Sequence, residues 1–239
     1  MTGRPGYLAF MLLAVAVFFL ALRLFPSPRP VLLTRLEKLT LSLTAFVGGT
    51  IVAKLPFVFD ANSSFWDWAT WTADGKTITT GLVGAYLSVE LVKWFLGIRA
   101  KTGDGLAIPL AFALGVGRFG CFVNPCCFGV ESSLPWCINF GDDVCRHPTQ
   151  IYESLFHFVW AVILIRLNRI DLFPTQRLKL YLIAYCVFRF SIEFIRVEPD
   201  WLGQFTYYQV VVIGFAIFLV GQWIVDKRRL GTEAAILSK

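Results

Sequence analysis

The chain has 239 residues, of which 56% are hydrophobic and only 16% charged. A soluble globular domain carries about 25% charged residues, so this composition excludes a water-soluble fold and places the protein in a membrane. The formal net charge of +6 does not point to nucleic acid, because the positive residues sort by loop.

Crossing the hydrocarbon core takes about 20 apolar residues per helix. Seven such runs follow one another, over roughly 7–25, 39–59, 78–97, 106–123, 149–167, 178–196 and 206–226. They predict an all-α integral membrane protein, a bundle of seven transmembrane helices forming a single domain over 1–239. The first connection holds Arg23, Arg29, Arg35 and Lys38, the third Lys93, Arg99 and Lys101. The fifth holds Arg166, Arg169, Arg177 and Lys179, and the tail Lys227, Arg228, Arg229 and Lys239. The alternate connections are poor in base, with Lys76, Arg146 and Arg196. The positive-inside rule then predicts an outer N-terminus and a cytoplasmic C-terminus. The first run is read as a retained helix, because basic residues follow it and no small-residue cleavage site is evident.

Two short outer loops are expected, at about 60–77 and 124–147. The first contains "FDANSSFWDWATWTADGK", whose Trp66, Trp68 and Trp71 suit an interfacial aromatic belt. No internal repeat is evident, which argues against an inverted-repeat transporter.

With this topology, the polar motifs gather at one depth. Helix 4 ends outward in "GRFGCFVN", carrying Arg118 and Asn124, with Gly129 following. Helix 6 carries "YCVFRFSIEFIR", with Tyr185, Arg189, Glu193 and Arg196. Helix 5 starts from the outer face with "RHPTQIYE", containing His147, Gln150 and Glu153; helix 3 starts there with "KTITTGLVG", and helix 7 with "FTYYQ". A charge at mid-helix costs about 2.5–3.5 kcal/mol on insertion scales, so such residues must pair, face a polar cavity or work. Arg189 and Glu193 stand i,i+4 and share a helix face. Arg118 has no acid near it in sequence, and its planar fork suits a lipid phosphate. Gln150, Glu153 and His157 share one face of helix 5, where His157 is read as a structural hydrogen bonder. Glu90 and Lys93, at i,i+3, are read as a structural pair.

In order and spacing, "GRFGCFVN…G", "RHPTQIYE", "FRFSIEFIR" and the glutamine opening helix 7 resemble the prolipoprotein diacylglyceryl transferase family. The resemblance covers helices 3 to 7. It implies a seven-helix enzyme of the bacterial inner (plasma) membrane, N-terminus outside. That enzyme moves the diacylglyceryl group of phosphatidylglycerol, or a related phospholipid, onto the lipobox cysteine thiol of a prolipoprotein. Glycerol phosphate leaves. By position, the resemblance implies that Arg118, Asn124, Gly129, Gln150 and Gln209 bind substrate. It also implies that Tyr185, Arg189 and Glu193 hold and activate the lipid head, with His147 in the "HPTQ" motif beside them. The sequence departs from the family's pattern at three places: Cys121 replaces an asparagine, Cys126 a glutamate, and Thr79 the histidine that opens helix 3. A threonine cannot take a thiol proton near neutral pH, which leaves Glu193 or His147 as base. His147 is the better matched, since an unperturbed imidazole titrates near 6.5, and Glu193 is expected to orient Arg189.

Cys126, Cys127, Cys137 and Cys145 lie in the fourth connection, with Cys121 ending helix 4. "CINFGDDVC" reads as a β-hairpin that brings Cys137 to Cys145, and an oxidising exterior favours a disulfide between them. Zinc bound by four of the cysteines and His147 is a rival reading that the vicinal pair, and the absence of a C-x₂₋₄-C spacing within the loop, count against, so neither metal nor cofactor is expected. Two other classes stand beside the transferase: a catalytically silent lipid-binding paralogue, favoured by Thr79, and a thiol-redox or metal membrane protein, favoured by the cysteines.

Overall fold

A computed structural model of the chain describes residues 4–58, 71, 77–198 and 200–237. Its helices are α1 (Arg4–Leu24), α2 (Arg35–Val58), α3 (Ile78–Phe95), α4 (Asp104–Val123), α5 (Thr149–Arg169), α6 (Arg177–Ile192) and α7 (Tyr207–Leu237). Between α4 and α5 lies a hairpin of β1 (Ile138–Asn139) and β2 (Cys145–Arg146); a second, β3 (Asp200–Leu202) and β4 (Phe205–Thr206), precedes α7. Most of the tryptophan-rich loop, Trp66 and Trp68 included, lies outside the described residues.

Helices therefore stand where the seven apolar runs lie, and five of them, α1, α2, α4, α5 and α7, are long and apolar enough on their own to cross a membrane. α6 has only 16 residues and carries Arg177, Lys179 and Arg189. It also ends earlier than the apolar run does. Glu193 caps it and opens a 3-10 turn (Glu193–Ile195), after which Arg196 is extended and forms an isolated β-bridge with Gly129. Arg196 thus faces back toward the residues after α4 rather than ending a helix.

Arg177 and Lys179, counted as loop charges from the sequence, belong to the first turn of α6 and are buried. Arg177 donates to Asp171 Oδ1 at 2.6 Å, to Asn168 Oδ1 at 3.0 Å and to the Leu172 carbonyl at 3.0 Å. Lys179 pairs with Asp226 of α7, which also takes Lys101 at 2.6 Å. Acids that the loop census left out neutralise these bases.

The described chain divides into two compact units, Val31–Ala100 and Met1–Pro30 with Lys101–Lys239. In the smaller one, Thr34 and Glu37 form a capping box that starts α2: Glu37 N–H donates to Thr34 Oγ1 at 3.2 Å, and Thr34 N–H to Glu37 Oε2 at 2.7 Å. α2 then packs along α3. At the seam a Cβ on Gly84 would stand 2.7 Å from the Gly48 carbonyl, so only glycine permits this backbone approach, as at close helix crossings in membranes. Lys93 pairs with Glu90 at 2.7 Å within α3, as their spacing predicts.

In the larger unit α1 packs on α4, α4 on α5, and α6 on α7. Ala107 and Ala111 of α4, Ala161 and Leu164 of α5, Tyr181 of α6 and Leu219 of α7 are fully buried. Large apolar side chains such as Leu12, Phe19, Leu155 and Ile217 point outward, the surface that a lipid environment requires.

Candidate functional site

The polar groups expected at the outer ends of the helices are largely buried together in the larger unit. Arg118 lies in the penultimate turn of α4 and pairs through Nη2 with Glu153 Oε2 of α5. The other oxygen of Glu153 stands 3.8 Å from Arg196 Nη1. Arg196 Nε lies 3.5 Å from Glu193 Oε2, the oxygen that also pairs with Arg189 Nη1. One string therefore alternates in charge: Arg118, Glu153, Arg196, Glu193, Arg189. Its acids are fully enclosed, with side chains 0% exposed, and none of its arginine side chains exceeds 6%. Placing these charges in a low-dielectric interior is costly unless each is matched, and the alternation provides that match. Three guanidiniums meet two enclosed carboxylates; the third acid, Glu198, pairs with Arg196 at 2.9 Å and is 24% exposed.

Neighbouring groups fix the string. Thr206 Oγ1 donates to Glu193 Oε1 at 3.0 Å. Thr206 is also the cap of α7, closing a capping box with Gln209: Gln209 N–H donates to Thr206 Oγ1 at 3.3 Å, and Thr206 N–H to Gln209 Oε1 at 3.0 Å. Gln209 therefore reaches the charges through Thr206, its amide oxygen already engaged in the cap. The Arg189 guanidinium lies 5.3 Å from the centre of the Tyr208 ring, within cation–π range. Tyr185, one turn before Arg189, is buried with its ring centre 5.2 Å from that of His157. His157 shares a 2.7 Å hydrogen bond with the Tyr181 hydroxyl, the structural role its spacing implies.

The segment after α4 is held against the same place. Gln150 Nε2 donates to the Cys126 carbonyl at 2.6 Å, and Thr149 Oγ1 to the Cys127 carbonyl at 2.5 Å. Arg196 Nη1 donates to the Cys127 carbonyl as well, at 2.9 Å. Asn124 caps α4, its N–H bonded to the Gly120 carbonyl at 3.0 Å. At Gly129 a Cβ would meet the Ile195 carbonyl at 2.5 Å and His147 Cβ at 2.8 Å. Only glycine fits where this segment crosses the turn that carries Arg196. Among the described residues, Arg118 Nε and Gln150 Oε1 are buried without a hydrogen-bond partner, so the site retains polar capacity.

His147 sits just beyond β2, half-buried, with Nδ1 3.3 Å from the Tyr152 hydroxyl; Trp136 Nε1 donates to that hydroxyl at 2.8 Å. Cys137 and Cys145 form a disulfide across the hairpin, Cα atoms 5.3 Å apart, where Asn139 faces Cys145 in register. On the same hairpin Arg146 Nε donates to Asp142 Oδ2 at 2.7 Å, which holds the Asp142 carboxyl below its ordinary range.

Sequence reasoning named Glu153 on its helix face but gave it no partner, and placed Arg196 at the outer end of helix 6 without a partner or a role. The structure makes both central. The signal was available: Gln150 and Glu153 occupy one face of α5, and Arg118 lacked an acid. Thr206 gave none, because its position three before Gln209 reads simply as a helix start. Thr79 is a buried residue of α3, in the smaller unit.

Comparison with known proteins draws these motifs into one family. The sequence model of the prolipoprotein diacylglyceryl transferases matches residues 6–225. The phosphatidylglycerol–prolipoprotein diacylglyceryl transferase of Pasteurella multocida is 30% identical over 204 residues, covering 77% of this chain and 74% of that protein. The Clostridium tetani protein of the same name is 28% identical over 77% of this chain and 80% of its own length. The Bacillus cereus one is 31% identical over 66% and 62% respectively. A match that spans nearly every helix, with a charged string built from the shared motifs, leaves one conclusion: this chain belongs to the prolipoprotein diacylglyceryl transferase family.

Proposed function

We propose that this protein transfers a diacylglyceryl group from phosphatidylglycerol, or a related phospholipid, to a cysteine thiol of a lipoprotein precursor. The observation that carries the reading is the alternating string Arg118–Glu153–Arg196–Glu193–Arg189, enclosed at the helix ends that bear the family's motifs. The proposed reaction forms a carbon–sulfur bond and breaks a carbon–oxygen bond to the phosphate, so a phosphate monoester departs with the bonding electrons. Stabilising that anion needs fixed donors, and guanidiniums already oriented by carboxylates pay little reorganisation as charge develops. Arg118 and Arg189 stand at the two ends of the string, each oriented by one glutamate. Arg118 Nε remains available for a phosphate oxygen.

The thiol must lose a proton. Glu193 is engaged by Arg189, Arg196 and Thr206, which suits it to orienting Arg189. His147 is the proposed base. When its Nδ1–H donates to the Tyr152 hydroxyl, Nε2 keeps the lone pair. The protein is proposed to lie in the bacterial inner membrane, with seven spans, an outer N-terminus and the site facing outward.

The test is product analysis with a labelled phospholipid and a lipobox peptide, together with complementation of a transferase-depleted bacterium. Labelled thioether product and rescue are expected. Wild type without product, restored by Thr79→His, identifies a silent lipid-binding paralogue instead. Wild-type turnover in His147→Ala rejects His147 as base.

A further inference from the structure

The cysteines after α4 are not used by the chemistry above, and they are not scattered. The sulfur atoms of Cys121, Cys126 and Cys127 all lie within 4.8 Å of one another. Cys121 belongs to the last turn of α4, Cys126 and Cys127 to the segment that follows, and all three are free thiols. The sequence spacing, Cys-x₄-Cys-Cys, holds two of them at a separation that metal sites use; the vicinal third obscured that signal.

The backbone brings the three together. Cys126 N–H donates to the Cys121 carbonyl at 3.2 Å, folding the segment back over the helix end. Cys127 has φ of 62°, in the left-handed region, which sets its side chain on the same side as that of Cys126. Consecutive residues of an extended strand would point apart. Gln150, Thr149 and Arg196 hold the Cys126 and Cys127 carbonyls at 2.5–2.9 Å. The segment is pinned from α5 and from the turn after α6, so the thiol arrangement is part of the framework.

We propose that Cys121, Cys126 and Cys127 form a three-sulfur site for a soft d¹⁰ cation, Zn²⁺ or Cu⁺. Thiolates select these ions over harder ones. With metal–sulfur bonds of about 2.3 Å, sulfurs around one ion stand roughly 3.8 Å apart, so each sulfur needs to move inward by only about half an ångström. Three thiolates around a divalent ion leave one negative charge. Arg118 lies one turn before Cys121, and Arg196 bonds the Cys127 carbonyl, so positive charge borders the complex. Zinc would keep a fourth position for water or another donor; Cu⁺ is satisfied by the three sulfurs. The site stands or falls independently of the transferase reading.

The full-length protein, purified in detergent and reduced, then freed of metal and reductant, is titrated with Co²⁺ as a spectroscopic substitute for zinc. A sulfur-to-cobalt charge-transfer band saturating at a single equivalent, and bleached by an equivalent of Zn²⁺, is expected. A parallel titration with Cu⁺ against a chromophoric chelator decides which ion is held more tightly. Cys121→Ser, Cys126→Ser and Cys127→Ser should each weaken binding by more than roughly tenfold, the loss that even a supporting residue causes; Cys186→Ser should not. The proposal is overturned if wild type shows no such band and retains neither Zn²⁺ nor Cu⁺ through desalting. It is equally overturned if the triple serine variant binds as wild type does. A second disulfide within the trio that persists after reduction also overturns it.

Discussion

Arg118 of α4 is neutralised by Glu153 of α5, and Glu153 is shared with Arg196 from beyond α6. One carboxylate thus joins three separate elements of the larger unit. Removing one partner of a buried ion pair strands the other, at a cost of about 3–5 kcal/mol. Glu153→Gln should therefore destabilise the protein strongly, read as a fall in melting temperature in detergent. The double variant Arg118→Met, Glu153→Met should recover part of that loss, because no unmatched charge remains at that end of the string.

Arg118→Lys should separate binding from folding. A lysine keeps the charge opposite Glu153 but loses the planar fork that grips a phosphate by two hydrogen bonds. Phospholipid-dependent turnover is expected to fall far more than thermal stability. Equal loss of both would make Arg118 a purely structural residue.

Gly129→Ala tests the crossing of the two segments. The added Cβ would meet the Ile195 carbonyl at 2.5 Å and His147 Cβ at 2.8 Å, both attached to backbone that cannot swing aside. Overpacking of this kind costs about 1–3 kcal/mol. Because the displaced turn carries Arg196, activity should drop alongside stability, whereas Gly214→Ala, exposed on α7 with open space where the Cβ would stand, should leave both intact.

Acid should loosen the opposite end of α5. The Arg177 and Arg29 guanidiniums bond Asp171 and hold its carboxyl below the usual range, with Arg177 the stronger influence. A carboxylate depressed on folding contributes stability above its unfolded pKa of about 3.9, and that contribution is lost as pH falls through the lower folded value. Asp171→Asn should flatten the acid limb of the stability profile below about pH 4, measured by thermal unfolding across pH, and leave the profile near neutrality similar in shape.

Most of this architecture was legible because membrane helices announce themselves by length and apolarity. The hairpin with Cys137 and Cys145 was legible too, since glycine and two aspartates sit between short strand-forming runs. What the sequence hid were partnerships between elements distant in the chain. Arg118 seemed to lack an acid only because Glu153 lies on another helix. Arg177 and Lys179 looked like loop charges because Asp104, Asp171 and Asp226 meet them only in the fold. The end of α6 was overrun since nothing in "SIEFIRVE" forbids a helix; the β-bridge between Arg196 and Gly129, a tertiary contact, decides it.

The seam between Gly84 and the Gly48 carbonyl bears on how the protein is made. α2 and α3 follow one another in the chain, and this close backbone approach involves only residues of that pair. In a bilayer, close backbone approach rather than hydrophobic force joins two inserted helices. The pair therefore carries its own instructions for assembly, and both of its helices precede every residue of the charged string in the chain. Biosynthesis can lay down this helical hairpin early, while both glutamates and two of the three arginines of the string, Glu153, Arg189, Glu193 and Arg196, are still unread message.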